Sequence, residues 1–167
     1  MAAENHSFFS PSKGELDFPT VIQEIALFIA TSPDSQHKII IGTDSQVKKN
    51  QLGPFVDYVT AIVIHRLGFG GRYFWQKQRQ YARKIFLRDR IYKEVTLSLN
   101  LASYFVPTLR STLDSNRYEL EIHIDVGNSG PTKELIREVV GMVTGNGFTA
   151  KTKPQSFGAS SVADRHT

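Results

Sequence analysis

Four acidic residues lie beside apolar segments of the sequence and could form one site. Asp44 follows the β-branched run Ile39 to Ile41, which predicts a buried strand that ends at this carboxylate. Asp125 ends an alternating apolar segment in the same way, and Glu94 and Asp164 lie in stretches with helical periodicity. A carboxylate at the carboxyl end of a central strand in an open α/β sheet lies in the crevice where such sheets bind ligands. The sequence therefore predicts a ligand site that contains Asp44.

Each of these carboxylates also has an ordinary structural interpretation. Asp44 and Asp125 suit the turns or helix caps in which aspartate is common. Glu94 suits a solvated ion pair with the lysine that precedes it, and Asp164 suits a charge balance with the arginine that follows it. Both interpretations stand for each residue at this point.

Two histidines are candidate auxiliary residues. His123 lies two residues before Asp125 on the same strand face, and His166 lies two residues after Asp164. Histidine titrates close to neutral pH and could move protons beside a carboxylate site. The alternatives are a packed, hydrogen-bonded strand residue for His123 and a frayed terminal side chain for His166.

A basic region lies in the middle of the chain, close to several aromatic residues. Its candidate nucleic-acid-binding residues are Arg79, Arg83, Lys84, Arg88 and Arg90. Cationic side chains neutralise phosphates, and neighbouring rings such as Trp75 and Tyr81 stack on bases. A solvated charged face is the alternative interpretation.

Composition limits the class of protein. The chain has 167 residues, of which 40% are hydrophobic, so we expect one domain spanning 1–167. It has no cysteine, which excludes disulfides, zinc–thiolate sites and thiol catalysis. The net charge of +4 permits a polyanionic partner without requiring one. Neither a signal peptide nor an apolar run of about 18 residues is evident, so we expect a cytoplasmic protein without a membrane partner.

Hydrophobic periodicity predicts five strands and four helices, after an irregular segment at 1–15. In chain order, these elements are a helix from Leu16 to Ala30 with Asp17 as its N-cap, a strand ending at Asp44, a turn at 47–54, strands at 56–65 and 72–80, a helix at 88–105 that stops before Pro107, a strand at 118–126, a helix that stops at Gly145 or Gly147, a strand at 148–153, and a helix at 157–165. The third strand is polar enough to be an edge strand. Hairpins followed by long crossovers predict an α/β fold with a mixed five-stranded sheet and helices on both faces.

Four segments carry a resemblance to a known family. They are Phe9 to Gly14, Ile40 to Gln46, His123 to Gly127, and Ser161 to Arg165. Together they resemble the YkuK family of ribonuclease H-like proteins, and the similarity covers nearly the whole chain. The order of the four carboxylates along the elements is also similar to that of the ribonuclease H-like superfamily. The helix at 16–30 is an addition to the minimal ribonuclease H fold.

The resemblance implies that Asp44, Glu94, Asp125 and Asp164 are both metal ligands and catalytic residues. If the first and fourth strands are neighbours, Asp44 and Asp125 project from strands about 5 Å apart, and like charges that close need a cation between them. Oxygen ligands with free positions suit Mg²⁺, or Mn²⁺. The implied activity is a Mg²⁺-dependent nuclease that hydrolyses phosphodiester bonds in RNA, DNA or their hybrid with two metal ions. A nucleic-acid-binding module or a protein-interaction module on the same fold remains an alternative, because fold does not fix function.

Overall fold

The fold consists of a seven-stranded mixed sheet and three α-helices. The computed structural model describes residues 7–167, apart from the side chains of residues 159 and 160. In chain order, the elements are β1 (Phe8–Ser10), β2 (Gly14–Leu16), α1 (Phe18–Ala30), β3 (His37–Asn50), β4 (Gly53–Arg66), β5 (Gly71–Tyr81), α2 (Leu87–Thr112), β6 (Glu119–His123), α3 (Ile136–Gly145) and β7 (Thr149–Lys151). A π-helical turn, Gly158–Val162, and a 3₁₀ turn, Ala163–His166, follow. We call residues 158–167 the C-terminal segment.

The sheet confirms the predicted mixture of hairpins and crossovers. Its strand order is β2-β1-β5-β4-β3-β6-β7. β3, β4 and β5 pair antiparallel, whereas β6 is parallel to both β3 and β7. The parallel pairs are connected by α2 and α3, because a parallel connection needs a long crossover. β3 and β6 are neighbours, which is the condition under which Asp44 and Asp125 are expected to lie close together.

Two short strands correct the prediction of five strands and an irregular segment at 1–15. Residues 1–6 lie outside the described residues, but β1 and β2 form a hairpin in which Ser10 lies opposite Gly14. Gly14 has a φ of 73°, a left-handed conformation that glycine adopts without steric cost at the end of such a loop. Three-residue strands are too short to produce a recognisable alternation in the sequence.

The hairpin of β3 and β4 is longer than predicted, and β5 is not an edge strand. The predicted turn at 47–54 is mostly strand, since Val47 lies opposite Val56 and Lys48 opposite Phe55. Phe9 of β1 lies opposite Trp75 of β5, so β2 and β7 are the edge strands. The polar residues of β5 reflect its exposed faces rather than an open edge.

Helix α2 continues through Pro107, where the sequence predicts that it ends. Proline removes one backbone hydrogen bond and normally breaks a helix at a cost of about 3 kcal/mol. Phe105, Val106 and Leu109 on both sides of the proline are buried. Packing of this apolar face therefore maintains the helix where local preference alone would end it.

The three α-helices lie on one face of the sheet, and the C-terminal segment covers part of the other. Ile39 and Ile41 of β3 belong to the same core as the buried residues of all three α-helices. On the opposite face, Val59 and Ala61 of β4 pack against Ala163. The predicted helix at 157–165 is instead a π-helical turn followed by a 3₁₀ turn, and helical structure does lie on both faces. None of the helices in the described residues is long and apolar enough to span a membrane.

The start of α1 is set by local chemistry, as predicted. The side chain of Asp17 accepts a hydrogen bond from the backbone N–H of Thr20 at 2.9 Å. Pro19 lies in the first turn, where a missing N–H has no cost. Val21, Ile22, Ile25 and Ile29 form the buried stripe of this helix.

Candidate functional site

Asp44 lies in the middle of β3 and not at its end. The pairing of β3 with β6 stops where Gly42 lies opposite His123, whereas the pairing with β4 continues through Asp44 opposite Val59. Asp44 is therefore the second residue beyond the point where β6 leaves the sheet. We call this gap, where β3 continues beyond Gly42 without β6 beside it, the notch. It provides the opening that was expected at the end of a strand.

Asp125 follows β6 at the same notch. It lies two residues beyond His123, the last residue of the strand, and not within the predicted strand 118–126. Its Oδ1 lies 3.2 Å from the Nζ of Lys153, although Oδ1 accepts no well-aligned hydrogen bond. The charge of Asp125 acts on both Asp44 and Glu94 and raises the pKa of each.

Asp164 reaches Asp44 from the C-terminal segment. Burial is the largest of the causes that raise the pKa of Asp44 to about 7, and the negative charges of Asp125 and Asp164 contribute to the same increase. A hydrogen bond between the Asp44 and Asp164 side chains also favours the protonated form of Asp44. Two carboxyl groups this close share a proton unless a cation lies between them.

Glu94 approaches from α2 on the opposite face of the sheet. Its residue surface is only 3% exposed, and its Oε1 accepts a hydrogen bond from Ser45 Oγ at 2.5 Å. Its second oxygen, Oε2, is buried without a hydrogen-bond partner. Burial is the largest of the causes that together raise the pKa of Glu94 to about 8; the charges of Asp44 and Asp125 act in the same direction, and Ser45 and Arg90 act against it. All four predicted carboxylates are thus linked to the notch through contacts or charge interactions.

These carboxylates are not gathered into a finished metal site. Across residues 7–167, leaving aside the side chains of 159 and 160, no group of three or more Asp, Glu, His or Cys side chains is arranged to hold a metal ion. The donor set still suits a hard cation, because it consists only of carboxylate oxygens and includes the unpartnered Glu94 Oε2. Burial and, after it, the charges of neighbouring carboxylates raise the pKa values of Asp44 and Glu94, and a divalent cation would relieve the repulsion between these charges.

The two candidate histidines have structural contacts. His123 is buried, and its two ring nitrogens lie 2.9 Å from Glu121 Oε2 and 3.1 Å from the backbone N of Gly158. Because Gly158 N–H must donate to Nδ1, Nε2 carries the proton given to Glu121. Both ring nitrogens of His123 are thus occupied by contacts within the protein. The imidazole of His166 stacks on the indole of Trp75, and its Nε2 lies 3.1 Å from the hydroxyl of Tyr73.

The candidate basic residues separate into two groups. Arg79 forms two hydrogen bonds with the carboxylate of Asp57, and Arg90 donates to the backbone oxygen of Ser45 at 2.6 Å. These two side chains therefore stabilise the strands around the notch. The others are exposed: Arg88 pairs with Glu138 at 3.3 Å, and neither Arg83 nor Lys84 makes an ion pair within the described chain.

Sequence reasoning missed two residues of this site. Ser45 connects Glu94 to β3, and the sequence signal was its position next to Asp44, from which a strand projects it to the opposite face. Lys153 neutralises Asp125, and no sequence signal connects residues so far apart. A cavity of about 400 Å³ between α2 and β5 is lined by Thr60, Gln76 and Asn100 and is separate from the carboxylates.

Comparison with known proteins adds a family to this geometry. The ribonuclease H-like family model matches residues 20–167, beginning inside α1. The chain is 32% identical to the protein YkuK of Bacillus subtilis (strain 168), described as uncharacterized, over 99% of both chains. No solved structure matches the chain. With its four carboxylates arranged around a notch in a mixed α/β sheet, the chain belongs to the YkuK family of ribonuclease H-like proteins.

Proposed function

We propose that this protein is a nuclease that depends on Mg²⁺ or Mn²⁺ and hydrolyses phosphodiester bonds in RNA, DNA or their hybrid. The observation that carries the proposal is the meeting of Asp44, Asp125 and Asp164 at one notch, with Glu94 reaching it from α2. Burial and the neighbouring acidic groups raise the pKa values of Asp44 and Glu94, so ionising all four carboxylates gives a site of high negative charge. Such a site suits divalent cations and, through them, phosphate substrates.

The four carboxylates would hold the metal ions, as a pair for a two-metal mechanism. Bound Mg²⁺ or Mn²⁺ supplies Lewis acidity and lowers the pKa of water, which is the chemistry that phosphodiester hydrolysis needs. The contribution of the protein is to orient the ligands. Ser45 and Arg90 fix the approach of Glu94, and Lys153 limits the repulsion around Asp125.

Exposed cations near the start of α2 would bind the substrate backbone. Arg83 and Lys84 lie just before that helix, and both are free of ion pairs within the described chain. Side chains of this kind bind phosphates without reading the sequence. They leave open whether the sugar carries a 2′-OH.

A second candidate function is nucleic-acid binding without turnover. The specific observation in its favour is that two of the carboxylates already have protein partners. Asp125 pairs with Lys153 and Glu94 with Ser45, and no ligand cluster is arranged for a metal ion in the described residues. If these contacts persist in solution with Mg²⁺ present, the fold binds nucleic acid without cutting it.

Cleavage assays with a matched control separate the two functions. Labelled single- and double-stranded DNA, RNA and hybrid are incubated with Mg²⁺, Mn²⁺ or EDTA. The Asp44→Asn variant removes a proposed ligand, and Asp34→Asn removes an exposed carboxylate from the loop before β3. Cleavage by the wild type and the Asp34 variant, absent in EDTA and in the Asp44 variant, supports the nuclease. Retained affinity without cleavage under every condition supports the binding module and contradicts the nuclease.

A further inference from the structure

The end of the C-terminal segment is fastened to the sheet by two lysines. Lys77 of β5 donates a hydrogen bond to the backbone oxygen of His166 at 3.0 Å. Lys48 of β3 donates to the backbone oxygen of Thr167 at 2.6 Å. Both lysines project from the sheet face that the segment covers, so the last two residues are held by strands that are distant in sequence.

An aromatic contact fixes the same residues. The imidazole of His166 stacks on the indole of Trp75, with ring centroids 4.2 Å apart and planes 9° apart. Its Nε2 lies 3.1 Å from the hydroxyl of Tyr73. Stacking and hydrogen bonding together define the orientation of this histidine on β5.

A buried carboxylate orders the two lysines. Asp57 of β4 is 0% exposed and lies 3.3 Å from Lys48 Nζ, 3.5 Å from Lys77 Nζ and 2.7 Å from Arg79 Nε. A lysine loses about 2 kcal/mol of side-chain entropy when it is immobilised. Because Asp57 already restrains both ammonium groups, less entropy is lost when they bind the segment.

Asp164 has no comparable support of its own. It is exposed, and within the described chain it forms no ion pair with a lysine or an arginine. Its side chain instead forms a hydrogen bond with that of Asp44 on β3. Contacts elsewhere in the segment are therefore needed to fix the place of Asp164.

We propose that Lys48, Lys77 and Trp75 form a clamp that positions Asp164 beside Asp44. These are positioning residues, since they touch His166 and Thr167 and not the four carboxylates of the notch. The consequence for metal binding rests on the proposed function. The mechanical role of the clamp does not.

The first test needs no metal, and it uses the only tryptophan of the chain. Acrylamide quenching of Trp75 fluorescence and amide hydrogen exchange at 163–167 are measured in EDTA at about pH 8. Lys48→Met is compared with Lys49→Met, which changes the adjacent exposed lysine of the same strand. We expect Lys48→Met to raise the quenching constant about twofold and to speed exchange, because the stacked ring loses its partner. Unchanged quenching and exchange in Lys48→Met and in Lys77→Met would overturn the clamp.

Metal affinity then connects the clamp to the site. For Mn²⁺ binding measured by calorimetry, we expect Lys48→Met to weaken binding about tenfold, the usual effect of losing an outer positioning contact. The same change in an Asp164→Asn background should add no further loss, whereas an additive loss would show that the clamp does not act through Asp164. If the wild type binds no Mn²⁺ and cuts no nucleic acid, the proposed function fails, and the fluorescence and exchange data still decide the clamp.

Discussion

Asp44 and Glu94 illustrate how burial and neighbouring charge act on single residues. Each is a carboxyl group that ionises readily in water, yet the folded protein raises their pKa values to about 7 and about 8. Burial is the largest cause for both, and the other carboxylates of the notch add to it. Residues placed in this way reduce stability in order to supply a charged site.

The raised pKa values predict how stability depends on pH. Between about pH 4 and pH 8, the folded protein retains protons on Asp44 and Glu94 that the unfolded chain has released, so the stability of the metal-free protein falls as pH rises. Asp44→Asn removes one of these groups. We expect it to increase the free energy of unfolding by about 1 to 2 kcal/mol at about pH 8.5 and very little at about pH 4.

Urea denaturation in EDTA at both pH values measures this effect, with Asp34→Asn as the exposed control. A variant that is no more stable than the wild type at the higher pH would contradict the raised pKa of Asp44.

The exposed side chains of Arg83 and Lys84 allow a test of nucleic-acid affinity. Arg83→Gln with Lys84→Gln should weaken binding of every sequence alike, because phosphate contacts carry no base information. The slope of log affinity against log salt should fall by about 1.4 for single strands if both contact phosphates. Arg72→Gln, at the other end of β5 where Arg72 pairs with Glu24, is the control. Equal losses in the control and the double variant would locate the nucleic acid elsewhere.

At the scale of elements, β3 organises the site through its two faces. Thr43 and Ser45 project toward α2, where Ser98 and Glu94 receive them, whereas Asp44 projects toward the C-terminal segment. Alternate residues of a strand always point to opposite faces. One strand can therefore gather carboxylates from both layers at the point where β6 leaves it.

Close packing of the C-terminal segment on β3 predicts the effect of a single methyl group. A Cβ on Gly158 would lie 2.5 Å from Ile40 Cγ2 and 3.3 Å from His123 Nδ1, so Gly158→Ala forces the segment away from the sheet. We expect a loss of about 1 to 3 kcal/mol in the free energy of unfolding. Thermal or urea unfolding measures it.

A control and a rescue make this test specific. Gly141→Ala in α3 meets no atom within 4 Å and should be neutral or stabilise by up to about 1 kcal/mol. Combining Gly158→Ala with Ile40→Ala should cost less than the sum of the two single changes, because the clash is removed. Full additivity would show that the contact with Ile40 is not the cause.

The whole molecule combines a modest positive charge with two opposite local fields. The net charge is +4, but Asp44, Glu94, Asp125 and Asp164 concentrate negative charge at the notch. Cations surround the buried Asp57 on the same three central strands. The central strands therefore carry regions of both signs, which the net charge alone does not reveal.

The ion cluster predicts the acid limit of folding. The hydrogen bond from Arg79 is the largest cause that lowers the pKa of Asp57 to about 2. A depressed pKa contributes stability above the unfolded value of 3.8, and that contribution is lost as pH falls toward about 2. Asp57→Asn should lower the free energy of unfolding by about 2 kcal/mol at neutral pH. It should also weaken the dependence of that free energy on pH in the acid range. The midpoints of urea unfolding between about pH 2 and pH 6 measure both effects. A variant whose midpoints fall with acid as steeply as those of the wild type would contradict the prediction.

Much of the architecture follows from the sequence alone. The N-cap at Asp17, the apolar stripe of α1 and the apolar β4 are local patterns, and local patterns survive folding when packing agrees with them. The order of hairpins and crossovers likewise predicts the mixed sheet. The four carboxylates were identified from their positions relative to these elements and from the resemblance to the YkuK family.

Tertiary structure decided what depends on contacts between distant residues. The continuation of β3 past Asp44, the passage of α2 through Pro107 and the pairing of Phe9 with Trp75 all contradict local signals, because burial and cross-strand bonding outweigh turn and proline preferences. The roles of Arg79, Arg90 and Lys153 were equally invisible, since an ion pair is defined by a distance in space. Residue types alone therefore determined which groups could do chemistry, and folding determined which of them meet.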